Sequence, residues 1–368
     1  MPDTTLAVES PALRARLPEW LEAVLVRVAA VLAALVLGAV LLVVQGHDAW
    51  AAYVDMAVGA FGSRWALEQT LLKAIPLVLT TLGVILTFTA GLWNIGAEGQ
   101  FTIGALAASW LALVHGGLPA LPLLTMMTLL GLAGGAAWAL VAAIPRAYLG
   151  LNEVISTLLL NYVALLVVDY LVFGAWADPT AFNFPYSPAF SSTARLPLLF
   201  GDVHLGLVLA LVATVVLAGL VRRTTWGYEI RVSGASAGAA RYAGMPVARN
   251  ILVAMAASGA LSGLAGMAEV SGTIFRVQQG LSPGYGYTAI IIAWLAKLNP
   301  WAAVPVAVLF AGLLNGGYAL QTSKVPAAIT YMLQAAILFL VVGGESLLAR
   351  GRRARAAAIQ RAALTAAR

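Results

Sequence analysis

Residues 69–115 read QTLLKAIPLVLTTLGVILTFTA, GLWNIGAEGQ, FTIGALAASWLALVH: two apolar runs divided by Gly91-Leu-Trp-Asn-Ile-Gly-Ala-Glu-Gly-Gln100. The first run has about the 20 residues needed to cross a hydrocarbon core of roughly 30 Å, and the second is short for that task. Three glycines and three polar side chains, Asn94, Glu98 and Gln100, break what would otherwise be continuous apolar helix. Facing lipid unpaired, each polar group would cost several kcal/mol. The segment is therefore expected to face a cavity, a helix bundle or the cytoplasm.

The rest of the chain repeats the theme. Of 368 residues, 61% are hydrophobic and 10% charged, with a mean hydropathy of +0.92, against about 25% charged in a soluble domain. Apolar spans are predicted at 23–45, 69–90, 101–115, 120–144, 154–175, 203–221, 250–270, 287–298, 301–320 and 326–344. A second break, Gly280-Leu-Ser-Pro-Gly-Tyr-Gly286, precedes another short span. In this threading the first break lies toward the inside and the second toward the outside. Interrupted segments at matching positions with opposite polarity mark inverted-repeat transporters, although two plain loops between short spans would look the same. The fold class expected is an all-α polytopic membrane protein of about ten helices with an inverted repeat. Its parts are a cytoplasmic segment 1–22, a membrane domain 23–344 and a basic cytoplasmic tail 345–368.

Charge sets the orientation. With both termini inside, sixteen of the 21 Lys and Arg residues fall on or beside the cytoplasmic side, five of them between Arg222 and Arg249 and six from Arg350 to Arg368. Only Arg64, Lys73, Arg195, Arg276 and Lys324 fall outside. The same distribution accounts for the net charge of +6 by topology, without nucleic acid. The apolar run after residue 22 is too long for a signal-peptide core, so a retained first span is expected. Residues 46–68 carry Asp48, Asp55, Arg64 and Glu68 and read as an interfacial helix on the outer face. Together with the outer loop 176–201 they could receive a soluble delivery partner.

Catalytic chemistry has no foothold. Cysteine is absent, and the only lysines, Lys73, Lys297 and Lys324, do not follow glycine, so no Walker A loop exists. His47, His115 and His204 form no close-spaced ligand pair, and no metal is expected. Gly234-Ala-Ser-Ala-Gly238 matches a nucleophile elbow in letters, but no strand precedes it.

Two groups of candidate site residues remain. Glu153, Thr157 and Asn161, spaced by four behind Asn152, share one helix face and join Asn94, Glu98 and Gln100 as a possible substrate pathway. Interhelical hydrogen bonding that merely holds the bundle fits them equally well. The stretch 222–248 reads as two short helices separated at Gly234, with Ser236 capping the second and Gly244 closing it. Small residues at Gly131–Gly135 and Gly259–Gly266 allow close helix approach.

Here a family resemblance appears. Gly227, Arg231, Gly234, Ala239, Ala240 and Gly244 match in register the inner-loop pattern of ATP-binding-cassette permeases of the branched-chain amino acid, ribose and nucleoside import group. Ser236 stands where that pattern has Asn, and Met245 where it has Ile. The 91–100 and 152–162 segments are similar to those of the nucleoside-type, guanosine-like permeases. The resemblance implies import of purine nucleosides across a bacterial inner membrane, with sugars or other small polar solutes as the alternative. It also implies a cytosolic ATPase, a second permease subunit and an extracytoplasmic binding lipoprotein, with no cofactor on this chain because ATP is bound by the partner. Gly227, Glu229, Arg231, Gly234, Ser236, Arg241 and Gly244 would then form the ATPase coupling loop. A different reading makes Glu98 and Glu153 ion carriers of a secondary transporter.

Overall fold

The computed structural model describes residues 19–322, 325, 326 and 328–366. Arg14, Arg16, Lys324 and Arg368 lie outside them. Among the described residues nine helices are long and apolar enough to cross a bilayer, so the chain is a multi-pass membrane protein. The tenth expected span is a short helix of 11 residues, Tyr285–Leu295, which at 1.5 Å per residue covers roughly 16 Å.

Two compact units are present. One pairs α1 (Glu19–Val44) with most of α13 (Ala328–Ala366). Arg27 Nη2 lies 2.6 Å from Glu345 Oε1, Arg352 Nη2 lies 3.2 Å from Glu22 Oε2, and Gly344 packs on Val26.

The other unit runs from Asp48 to Thr330. It begins with α2 (Ala49–Phe61), N-capped by Asp48, in the place of the expected interfacial helix, and continues with α3 (Arg64–Thr89), capped by Ser63. Then come α4 (Ala97–Val114), α5 (Ala120–Leu149) and α6 (Glu153–Val172). A two-stranded hairpin, Leu198–Phe200 with Val203–His204, leads to α7 (Gly206–Arg223) and the short helices α8 (Thr225–Ala235) and α9 (Ala237–Tyr242). The last helices are α10 (Val247–Glu269), α11 (Tyr285–Leu295) and α12 (Pro300–Thr322). A π-helix, Val270–Ile274, extends α10.

Helices α4, α5 and α10 cross at backbone contact. A Cβ at Gly135 would overlap Gly259 O, and one at Gly104 would overlap Gly263, which is why small residues recur there. Val84 and Ile85 of α3, Ala97 of α4, Ala289 and Ala293 of α11 and Ala303 of α12 form a buried apolar cluster that seats α11.

Candidate functional site

The break after α3 folds back into the protein. All six candidate pathway residues are buried: Asn94, Glu98, Gln100, Glu153, Thr157 and Asn161 are each 5% exposed or less. Asn94 and Gln100 form a reciprocal amide pair, Nδ2 to Oε1 and Nε2 to Oδ1, both at 3.0 Å. Asn94 Nδ2 also donates to Ser258 Oγ of α10 at 3.0 Å, and its Oδ1 accepts from Gly96 N. Asn161 Oδ1 accepts from Gly99 N at 2.8 Å, while its Nδ2 donates to Ile95 O at 2.9 Å and Tyr287 Oη at 3.2 Å. Glu153 accepts from Trp93 N at 3.2 Å and pairs with Arg146 at 3.0 Å. Thr157 donates to Glu153 O.

The two interrupted segments, placed on opposite sides by the sequence threading, touch. Gly286 N, in the first turn of α11, donates to Glu98 Oε2 at 2.7 Å. A carboxylate facing that turn meets free amides and the positive end of the helix dipole, so Glu98 closes the joint between the starts of α4 and α11. Gly286 must be glycine because its Cβ would strike the Glu98 backbone.

Sequence reasoning missed Lys73 and Glu269. Glu269 is 6% exposed, ends α10 beside the π-helix, and accepts from Tyr285 Oη at 3.4 Å. Lys73 of α3 attracts Glu269 electrostatically and lies 4.6 Å from the Tyr318 ring centroid. The available signal was simple: each is a lone charge inside an apolar run.

In the second group, α8 runs through Gly234 to Ala235, so the division falls at Ser236 and not at Gly234. Ser236 Oγ accepts from Ala239 N at 3.2 Å, as a cap should, and Gly244 takes a φ of +75° after α9. Gly227 packs on Leu220 O, and Gly234 packs on Thr89 O and Gly91, which puts α8 directly under the broken segment. Glu229 accepts from Asn250 at 3.0 Å and lies 3.5 Å from Arg249, while Arg231 donates to Val221 O. Arg241 is exposed and has no ion pair among the described residues, and the neighbouring Tyr242 is 97% exposed.

The sequence has relatives among known proteins. Residues 66–342 match the family described as branched-chain amino acid transport system / permease component. The chain belongs to that family. It is 39% identical to the glucose ABC transporter permease of Haloferax volcanii, covering 90% of both chains. Identity to the guanosine ABC transporter permease of Bacillus subtilis is 31%, over 88% of this chain and 94% of the relative. Identity to a nucleoside ABC transporter permease of Lactococcus lactis is 30%, over 86% and 90%. The chain is thus an ABC transporter permease subunit, and the family resemblance read from the sequence holds.

Proposed function

We propose that this permease subunit carries purine nucleosides inward across the inner membrane of a bacterium, with both termini cytoplasmic. An extracytoplasmic binding lipoprotein would deliver the solute outside, and a cytosolic ATPase would grip the α8–α9 stub. A second, paralogous permease would complete the pathway; two different guanosine permeases of Bacillus subtilis resemble this chain, at 31% and 26% identity. The observation that carries the reading is the contact of Gly234 on α8 with Gly91 of the broken segment. A push on the stub reaches the joint at Glu98 through only a few residues. With Gly234→Val, overlap with Thr89 O would separate α8 from the break, and ATP-driven uptake is expected to fall while the chain stays in the membrane.

The test is uptake of labelled guanosine and adenosine into proteoliposomes holding the permease, its ATPase, its partner permease and its binding protein, with and without internal ATP. Uptake that needs ATP and every component supports the importer. Uptake by this chain alone under an ion gradient would replace it with a secondary carrier. The Haloferax relative favours a second reading, in which the solute is a hexose, and labelled glucose in the same vesicles separates the two.

A further inference from the structure

The polar residues of the broken segment spend their hydrogen-bonding groups on one another, on nearby backbone and on neighbouring helices. A solute passing this chain has to meet their exposed neighbours instead. Trp93 is 48% exposed, between Leu92 at 2% and Asn94 at 0%. Its backbone nitrogen is held by Glu153, so the indole stands out from a fixed support. It joins two rings from other helices: Phe88 of α3 at 5.1 Å between centroids and Trp294 of α11 at 5.9 Å, with Phe88 and Trp294 6.1 Å apart.

Seven residues before Trp294, on the same face of α11 and about 10 Å along its axis, sits Tyr287. Tyr287 is 38% exposed. Its hydroxyl accepts from Asn161 Nδ2, and the same nitrogen also holds Ile95 O, so tyrosine and broken segment are pinned together. The hydroxyl's own proton has no acceptor among the described residues. The strip therefore offers ring faces at one end and a spare donor at the other.

We propose that Trp93, Trp294 and Tyr287 form the wall along which the solute moves, and that the solute is a small polar molecule with a flat ring face, a nucleobase or a pyranose. The inference rests on the importer reading above. Ring faces stack on bases and sugars with little demand on orientation, which suits a surface that must bind and release. Aromatic anchoring at a membrane boundary would account for Trp93 and Trp294. It gives no reason for Tyr287, which lies within three residues of the start of a helix that begins inside the protein against Glu98.

The experiment uses the assembled importer in proteoliposomes, with labelled guanosine and labelled glucose as probes. Trp93→Leu is expected to slow uptake of the transported probe at least about tenfold, while Trp93→Phe, which keeps a ring face, stays within about threefold. Tyr287→Phe keeps packing and ring and is expected to raise KM severalfold for the same amount of chain in the membrane. The probe that the wild type carries decides between nucleobase and pyranose. Equal rates for Trp93→Leu and Trp93→Phe, at whatever level, overturn the wall, and so does an unchanged KM in Tyr287→Phe. ATP-driven uptake of a solute without a ring, with both probes ignored, overturns the ligand class. A wild type with no ATP-driven uptake at all removes the importer reading, and the wall with it.

Discussion

The two interrupted segments meet where the Glu98 carboxylate accepts from Gly286 N, yet they are held in place by different means. Segment 91–96 is tied by side chains: Glu153 and Asn161 of α6 hold Trp93 N and Ile95 O, Asn94 turns back on Gly96 N, and Gln100 of α4 holds the Asn94 amide. Segment 275–284 is tied largely by backbone. Phe275 O accepts from Phe190 N, Val277 O accepts from Ser187 N, and Tyr186 bridges to Gln278. Val277 N donates to Ser187 Oγ, and Ser282 Oγ accepts from Gly284 N and Tyr285 N where α11 begins. A segment tied by side chains is specific but open to damage by one substitution. A segment laced by backbone spreads the load over many residues, none of them indispensable.

The sharpest way to break the contrast is at the joint they share. Gly286→Val drives a side chain into the Glu98 backbone, and essentially no folded chain is expected by size-exclusion chromatography after detergent extraction. Next, Asn161→Leu leaves Gly99 N and Ile95 O buried without partners, a loss of about 3–5 kcal/mol that a thermal-shift assay would read as a large drop in Tm. If that variant were as stable as the wild type, the side chains would not be what holds the first segment.

The π-helix that leads into the laced segment has its own probe in His204, which packs on Gly272. Burial against Gly272 of the π-helix holds its imidazole down to about 4, below the ordinary 6.5. The unfolded chain therefore takes up the proton first. The stabilisation is complete above pH 6.5 and is lost as pH falls toward 4, to a ceiling of about 3 kcal/mol. Tm is expected to drop across that window, and His204→Gln is expected to flatten the drop. The smallest effect is expected from Ser187→Ala, which removes one bond to Val277 N and costs about 1–2 kcal/mol. A loss as large as that of Asn161→Leu would end the distinction between the two segments.

The contrast also explains what the sequence reveals. Spans, short helices, the Ser236 cap and the Gly131–Gly135 and Gly259–Gly266 crossing are readable because hydropathy, capping and small-residue spacing are local. Asn94, Glu98, Gln100, Glu153, Thr157 and Asn161 are conspicuous as polar groups in apolar surroundings, so their convergence could be anticipated. Their exact bonds could not, because both substrate contact and bundle support fit the same letters. The lacing of 275–284 leaves almost no trace, since backbone amides look alike in every residue. Lys73 and Glu269 were visible as lone charges, but their association required α3 and α10 to be placed side by side.

The π-helix at Val270–Ile274 can be understood as a matter of chain length. A π turn absorbs one residue more than an α turn, so this stretch behaves as a single-residue insertion that needed no loop. It leaves Ser271 O free to accept from Leu196 N, which fastens the hairpin-bearing loop to the end of α10. Deleting any one residue from 270–274 would restore an ordinary helix and rotate the chain beyond residue 274 by about 100°. Phe275 and Val277 would then turn away from Phe190 and Ser187. The register of the whole lacing is kept by a count of residues, and at Gly272 the stretch also needs glycine, because a Cβ there would strike the His204 ring.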